Sequence, residues 1–131
     1  MFKDTKAFGS FSVDDLAKAE AFYGETLGLD VSPEDEGMRI RIAGGMQLFV
    51  YPKKDHQPAT FTILNFPVDD IDRAVDELKA RGIVFEHYTG ELRTDEKGIS
   101  RSSFHEKDID VAWFKDPAGN ILSVIRSSKY P

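Results

Sequence analysis

The sequence predicts an α+β chain made of two βαβββ repeats that form a shared curved-sheet cleft. Three observations predict it. Residues 11–19 (Phe-Ser-Val-Asp-Asp-Leu-Ala-Lys-Ala) return as residues 66–74 (Phe-Pro-Val-Asp-Asp-Ile-Asp-Arg-Ala), so that Val13 becomes Val68 at an offset of 55. Seven of those nine positions are identical or conservatively exchanged, too many for two helices that merely start alike. Apolar residues alternate with period two before each copy and recur with helical period after it.

The first strand is expected over residues 7–13 and its counterpart over 59–68. Asp14-Asp15 and Asp69-Asp70 stand where a helix begins. A carboxylate there accepts from the orphan N–H groups of the first turn and sits at the positive end of the helix dipole. Leu16, Ala19, Tyr23 and Leu27 share one helix face with Phe22 beside them, and Ile71, Ala74, Val75 and Leu78 form the matching face. Glu77 and Arg81 are spaced for an i,i+4 ion pair. Gly28 and Gly82 close the two helices as left-handed residues. Three strands follow in each half. In the first they cover 29–34, 38–43 and 46–51, with a Gly44-Gly45 turn. In the second they cover 83–88, part of 99–115, and 120–126, the last entered through the Asp116-Pro117-Ala118-Gly119-Asn120 turn. The chain thus reads as one domain over 1–131, with modules at 6–51 and 59–126 and a polar connector at 52–58. Residues 89–107 are long and polar for a hairpin link, either a lid or a ragged loop.

The composition narrows the function. With 17 basic and 23 acidic side chains the formal net charge is −6, and no basic stripe interrupts the acidity, so nucleic acid is not an expected partner. No apolar run approaches the roughly 20 residues that span a bilayer, and the first residues, Met-Phe-Lys-Asp-Thr-Lys, precede no signal-type apolar stretch. Cysteine is absent, which removes disulfides, thiolate metal sites and cysteine nucleophiles. A cytoplasmic protein that handles a small organic ligand is the expectation.

The pieces Val13-Asp14-Asp15-Leu16, Ala21-Phe22-Tyr23, Leu27-Gly28-Leu29 and Trp113-Phe114-Lys115-Asp116-Pro117-Ala118-Gly119-Asn120 closely resemble the vicinal oxygen chelate superfamily. This is the glyoxalase/bleomycin-resistance/dioxygenase group. The likeness runs from about Lys6 to Arg126 and implies the paired βαβββ fold and, commonly, a homodimer. It does not select a reaction, because the superfamily holds isomerases, epimerases, extradiol dioxygenases, fosfomycin-modifying transferases and metal-free antibiotic-sequestering proteins.

In the metal-dependent members, four His, Glu or Gln side chains hold one divalent ion. The resemblance carries those positions to Phe8, Ile63 and Ser123, and to Phe49 with Leu48 and Val50 as neighbouring alternatives. Phe and Ile have no lone pair, and a neutral hydroxyl alone is a poor ligand for such an ion. No metal and no cofactor are therefore expected. The histidines offer little more: His56 reads as solvated in the connector, His87 as a strand end, and His105 with Glu106 or Asp108 as a loop cluster that would otherwise be an acid/base pair.

Strand alternation puts Phe8, Ser10 and Ser12 on one face, Phe61, Ile63 and Asn65 on its counterpart, and Gln47, Phe49 and Tyr51 together. The expected ligand site is thus Phe8, Ser10, Gln47, Phe49, Tyr51, Ile63, Asn65, Trp113 and Ser123, an apolar cleft with scattered polar groups. The leading expectation is a small-molecule-binding, bleomycin-resistance-type sequestering protein. The alternative is a glyoxalase-like lyase or isomerase, or a dioxygenase-related enzyme, with an unconventional site.

Overall fold

In the computed structural model, which describes residues 1–130, the chain divides after Pro58 into two units. The first contains β1 (Gly9–Val13), α1 (Leu16–Glu20), β2 (Asp30–Glu34), β3 (Gly37–Ile42) and β4 (Met46–Pro52). Its sheet has the order β1-β4-β3-β2, with β1 parallel to β4 and the other pairs antiparallel. Alternation buries one side of β1, β3 and β4: Val13, Met38, Ile40, Leu48 and Val50 join Ala19, Phe22 and Tyr23 in the core. Asp15 caps α1 by accepting from the Lys18 N–H at 3.1 Å. The helix then widens into a π-turn over Ala21–Thr26, in which the Leu27 N–H reaches back to the Phe22 carbonyl at 2.9 Å. The adjacent rings of Phe22 and Tyr23 are both buried across this turn, edge to face at 5.1 Å.

The second unit contains β5 (Thr62–Pro67), α2 (Ile71–Ala80), β6 (Ile99–Ser100), α3 (Ser102–His105), β7 (Asp110–Lys115) and β8 (Ile121–Arg126). The sheet order β5-β8-β7-β6 repeats the first, again with a parallel pair on one side. Leu64, Ile71, Val75, Phe85, Phe114, Leu122 and Val124 form its core. The turn into β8 is held by Asp116, whose Oδ1 accepts from the N–H groups of Ala118 and Asn120, both at 2.9 Å.

Two expectations are corrected here. Residues 83–88 are not a regular strand: they touch β7 through a single bridge, Phe85 to Phe114, and a Glu86 N–H to Trp113 carbonyl bond. The rest of that β7 edge pairs with β6, so the position is shared by two short segments. Glu77 bonds Arg73 at 3.0 Å, one turn earlier in α2 than the Arg81 expected to pair with it.

The Asp pairs act as expected in both units: Asp70 accepts from the Arg73 N–H at 3.1 Å, as Asp15 does from Lys18. Replacing Asp15 or Asp70 with Ala should lower stability by roughly 0.5–2 kcal/mol. Urea denaturation measures this, and an unchanged midpoint for both variants would contradict the capping role.

Segment 95–101 is tied to α2 by charge. Arg101 grips Asp72 through both oxygens at 2.7 and 2.8 Å and reaches Asp95 at 2.8 Å, while Lys97 bonds Asp72 at 2.9 Å. The Arg101 and then Lys97 hydrogen bonds hold the Asp72 carboxyl well below its usual range. Burial pushes the Asp95 carboxyl up, but the Ile99 N–H, Arg101 and the Lys97 N–H outweigh it and leave it lowered. Carboxyls depressed in the fold add stability that is complete above their unfolded pKa, about 4. That stability is lost as pH falls through the folded values. Acidification from about pH 5 should therefore lower the thermal midpoint more steeply in the wild type than in Asp72→Asn; parallel curves would remove the tie.

Candidate functional site

On the first sheet, the face opposite the buried set carries most of the residues inferred from sequence. Ser10 lies opposite Phe49 and Ser12 opposite Tyr51. The rings of Phe49 and Tyr51 stack at 6.1 Å. Phe8 precedes β1 and is 56% exposed, a large apolar surface for one side chain. Gln47 is exposed beside them.

Two arginines missed by the sequence reading belong to this face. Arg39 lies opposite Phe49 and Arg41 opposite Gln47. The Arg39 guanidinium sits 5.1 Å from the Phe8 ring centre and 5.9 Å from that of Phe49. It is oriented by Glu34, which accepts from Nε at 2.6 Å and Nη2 at 3.0 Å. This pairing keeps the Glu34 carboxyl below its usual range. Arg41 donates to Ser32 at 2.9 Å. Alternation in β3, combined with the register set by the Gly44-Gly45 turn, would have found both arginines. The face is therefore amphipathic rather than apolar. His56 is corrected as well: its Nδ1 lies 2.7 Å from the Ser12 Oγ, so the connector histidine is part-buried on β1 rather than solvated.

On the second sheet, Asn65, Ser123 and Trp113 lie side by side across β5, β8 and β7. Ser123 is fully buried and its Oγ donates to the Asn65 Oδ1 at 2.5 Å. Trp113 is half-buried, with Tyr88 edge-on at 5.3 Å. A bulge between Thr62 and Leu64 takes Ile63 out of the β5 ladder, and Phe61 precedes the strand. A bulge sets two residues against one, so period-two counting does not carry through Ile63.

Ser10 and Asn65 are related by the repeat offset, and they lie opposite Phe49 and Ser123 respectively. The register thus makes Phe49, not Leu48 or Val50, the counterpart of Ser123. The chemistry of Phe8, Phe49, Ile63 and Ser123 does not fit a divalent ion: three side chains have no donor atom, and the hydroxyl is engaged with Asn65. Among the described residues no three His, Asp or Glu side chains gather as a ligand set. His87 is exposed. His105 accepts from the Lys107 N–H through Nδ1 at 3.2 Å. The Asp108 carboxylate is turned to Ser128 and Arg126, the Ser128 hydroxyl first among the bonds that lower it to about 2.

The family model of the Glyoxalase/Bleomycin resistance protein/Dioxygenase superfamily matches residues 8–124. The chain belongs to that superfamily. Solved structures agree on the superfamily's fold. A glyoxalase/bleomycin resistance protein/dioxygenase from Alicyclobacillus acidocaldarius superposes with a TM-score of 0.67 at 20% identity, over 98% of this chain and 96% of the other. A glyoxalase/dioxygenase from Nostoc punctiforme gives 0.67 at 18% identity, over 96% and 93%. The fosfomycin resistance protein FosX from Listeria monocytogenes gives 0.67 at 16% identity, over 93% and 92%. Identities this low speak for fold alone. No curated protein matches. Among the described residues no helix is long and apolar enough to cross a membrane.

Proposed function

We propose that this superfamily member binds a small aromatic or amphipathic organic compound without a metal ion, as a sequestering protein of the bleomycin-resistance type does. One observation carries the proposal: at two positions to which the resemblance carries metal ligands, the first unit has Phe8 and Phe49, both beside the oriented guanidinium of Arg39. Aromatic faces and a fixed cation suit a planar ligand held by stacking and a few hydrogen bonds. Ser10, Gln47 and Tyr51 supply polar groups on that face, and Ile63, Asn65, Trp113 and Ser123 are proposed ligand-binding residues on the second unit's own sheet. A homodimer is part of the proposal by family likeness, and a cytoplasmic setting by the absence of cysteine. Enzymatic acid/base chemistry by His105 has less support, since Arg126 and Ser128 already hold Asp108.

Calorimetric titration with neutral, planar aromatic compounds tests the proposal. The wild type should bind members of the panel, and Phe8→Ala or Phe49→Ala should weaken that binding about threefold to tenfold, the range of one lost aromatic contact. If neither variant alters the affinity, or the wild type binds nothing, these rings are not a ligand site.

A further inference from the structure

The long polar segment after α2 is folded, and it walls a solvent-open pocket of about 630 Å³ on the second unit. A single 3₁₀ turn at Gly90–Leu92 forms one side, and α3 another. None of the nine residues inferred from the sequence lines it. The floor is the pair Ser100 and Val111, opposite each other on β6 and β7. Ser100 is 1% exposed, and its Oγ has no hydrogen-bond partner among the described residues. A buried hydroxyl without a partner is destabilising, so such a group calls for an explanation.

Two cations in the lining are also without carboxylate partners among the described residues. Arg73, Lys97, Arg101, Lys115 and Arg126 of this unit each sit on an Asp or Glu. Arg93 instead lies over the Phe104 ring, 4.2 Å from its centre, and Lys107 has no ion pair among the described residues. His105 joins them. Its Nδ1 accepts from a backbone N–H, which leaves the proton of the neutral ring on Nε2, a donor. The remaining wall is apolar, with Leu92, Phe104 and Ile109, and the one acid in the lining is Glu91.

The geometry points to a binding site for a small organic carboxylate with an apolar body, its anionic end facing Arg93, Lys107 and the Ser100 hydroxyl. Planar guanidinium and carboxylate match in shape as well as charge. The apolar wall accepts the rest of the ligand. The site shares no residue with the aromatic strand face of the first unit and does not depend on it, while its Val111 lies on the same face of β7 as Trp113.

The test is an amide chemical-shift titration of the ¹⁵N-labelled full chain with phenylacetate, benzoate, hexanoate and octanoate, beside phenylacetamide and hexanamide. At least one acid should move the amides of residues 90–93 and 100–111. Its own amide derivative should bind at least about tenfold more weakly. Arg93→Gln and Lys107→Gln should each lose several-fold in affinity for the acid. Ser100→Ala should weaken binding while leaving the thermal midpoint unchanged or higher, since it deletes an orphan hydroxyl. If no acid binds, if acid and amide bind alike, or if the three pocket variants keep full affinity, the site is overturned. Shifts confined to residues 8–12 and 47–51 would overturn it too while sparing the strand-face proposal.

Discussion

Gly37→Ala is expected to be among the most damaging single-methyl additions in the first unit. An ideal Cβ at Gly37 would stand 2.3 Å from the Val50 carbonyl oxygen and 2.8 Å from the Phe49 ring. The first of these neighbours is backbone within the β3–β4 ladder, so it cannot swing aside. Strand separation or a broken ladder bond must follow. Forced overpacking typically costs about 1–3 kcal/mol and occasionally more, and a backbone clash belongs at the upper end. The Phe49 ring would shift as well, so aromatic ligands should bind more weakly to whatever remains folded. The double variant Gly37→Ala/Phe49→Ala separates the two contacts. It relieves only the ring clash and should stay well below Phe49→Ala in stability. If urea denaturation finds Gly37→Ala within about 0.5 kcal/mol of wild type, Gly37 does not stand against the Val50 carbonyl and the Phe49 ring as described.

Phe114→Ala is expected to cost the second unit about 3–5 kcal/mol, the range for a buried aromatic ring that leaves a cavity. Phe114 is fully buried and meets the Phe85 ring edge to face at 5.6 Å. The same residues form the single bridge that ties residues 83–88 to the sheet. With little ladder there, ring packing holds this edge. The midpoint in urea should fall with little change in slope, and exchange protection at Glu86, whose N–H bonds the Trp113 carbonyl at 2.8 Å, should fall with it. A loss under about 1 kcal/mol would mean that the neighbours close the cavity or that the ring is not core.

Local signals made much of this fold legible in the sequence. The Asp pairs announced both helix starts because capping is a contact within one turn. Gly28 and Gly82 marked the helix ends because a left-handed residue is needed there, and both have positive φ, 72° and 91°. The Gly44-Gly45 turn set the register that pairs Arg39 with Phe49, although both arginines were overlooked as members of that face. What composition could not supply is long-range pairing. Residues 83–88 read as a strand by alternation, but β6 takes part of the β7 edge. The Ile63 bulge is invisible to period-two counting. The Ser12–His56 contact joins residues 44 positions apart. The polar stretch 89–107 gave no hint that Arg93, Ser100, Phe104 and Lys107 line one pocket, because convergence belongs to the folded chain.

The central claim is ligand binding that needs no divalent ion, proposed because the family resemblance carries the metal-ligand positions to Phe8, Phe49, Ile63 and Ser123, whose side chains do not fit such an ion. The most direct measurement is native mass spectrometry of the full chain, mixed with the tightest-binding aromatic compound and, in turn, with a chelator or with equimolar Zn²⁺, Ni²⁺ or Mn²⁺. The expected spectrum shows the organic adduct at equal abundance in every sample and no stoichiometric metal on the chain. An adduct that vanishes with chelator and returns with one ion per chain would contradict the claim.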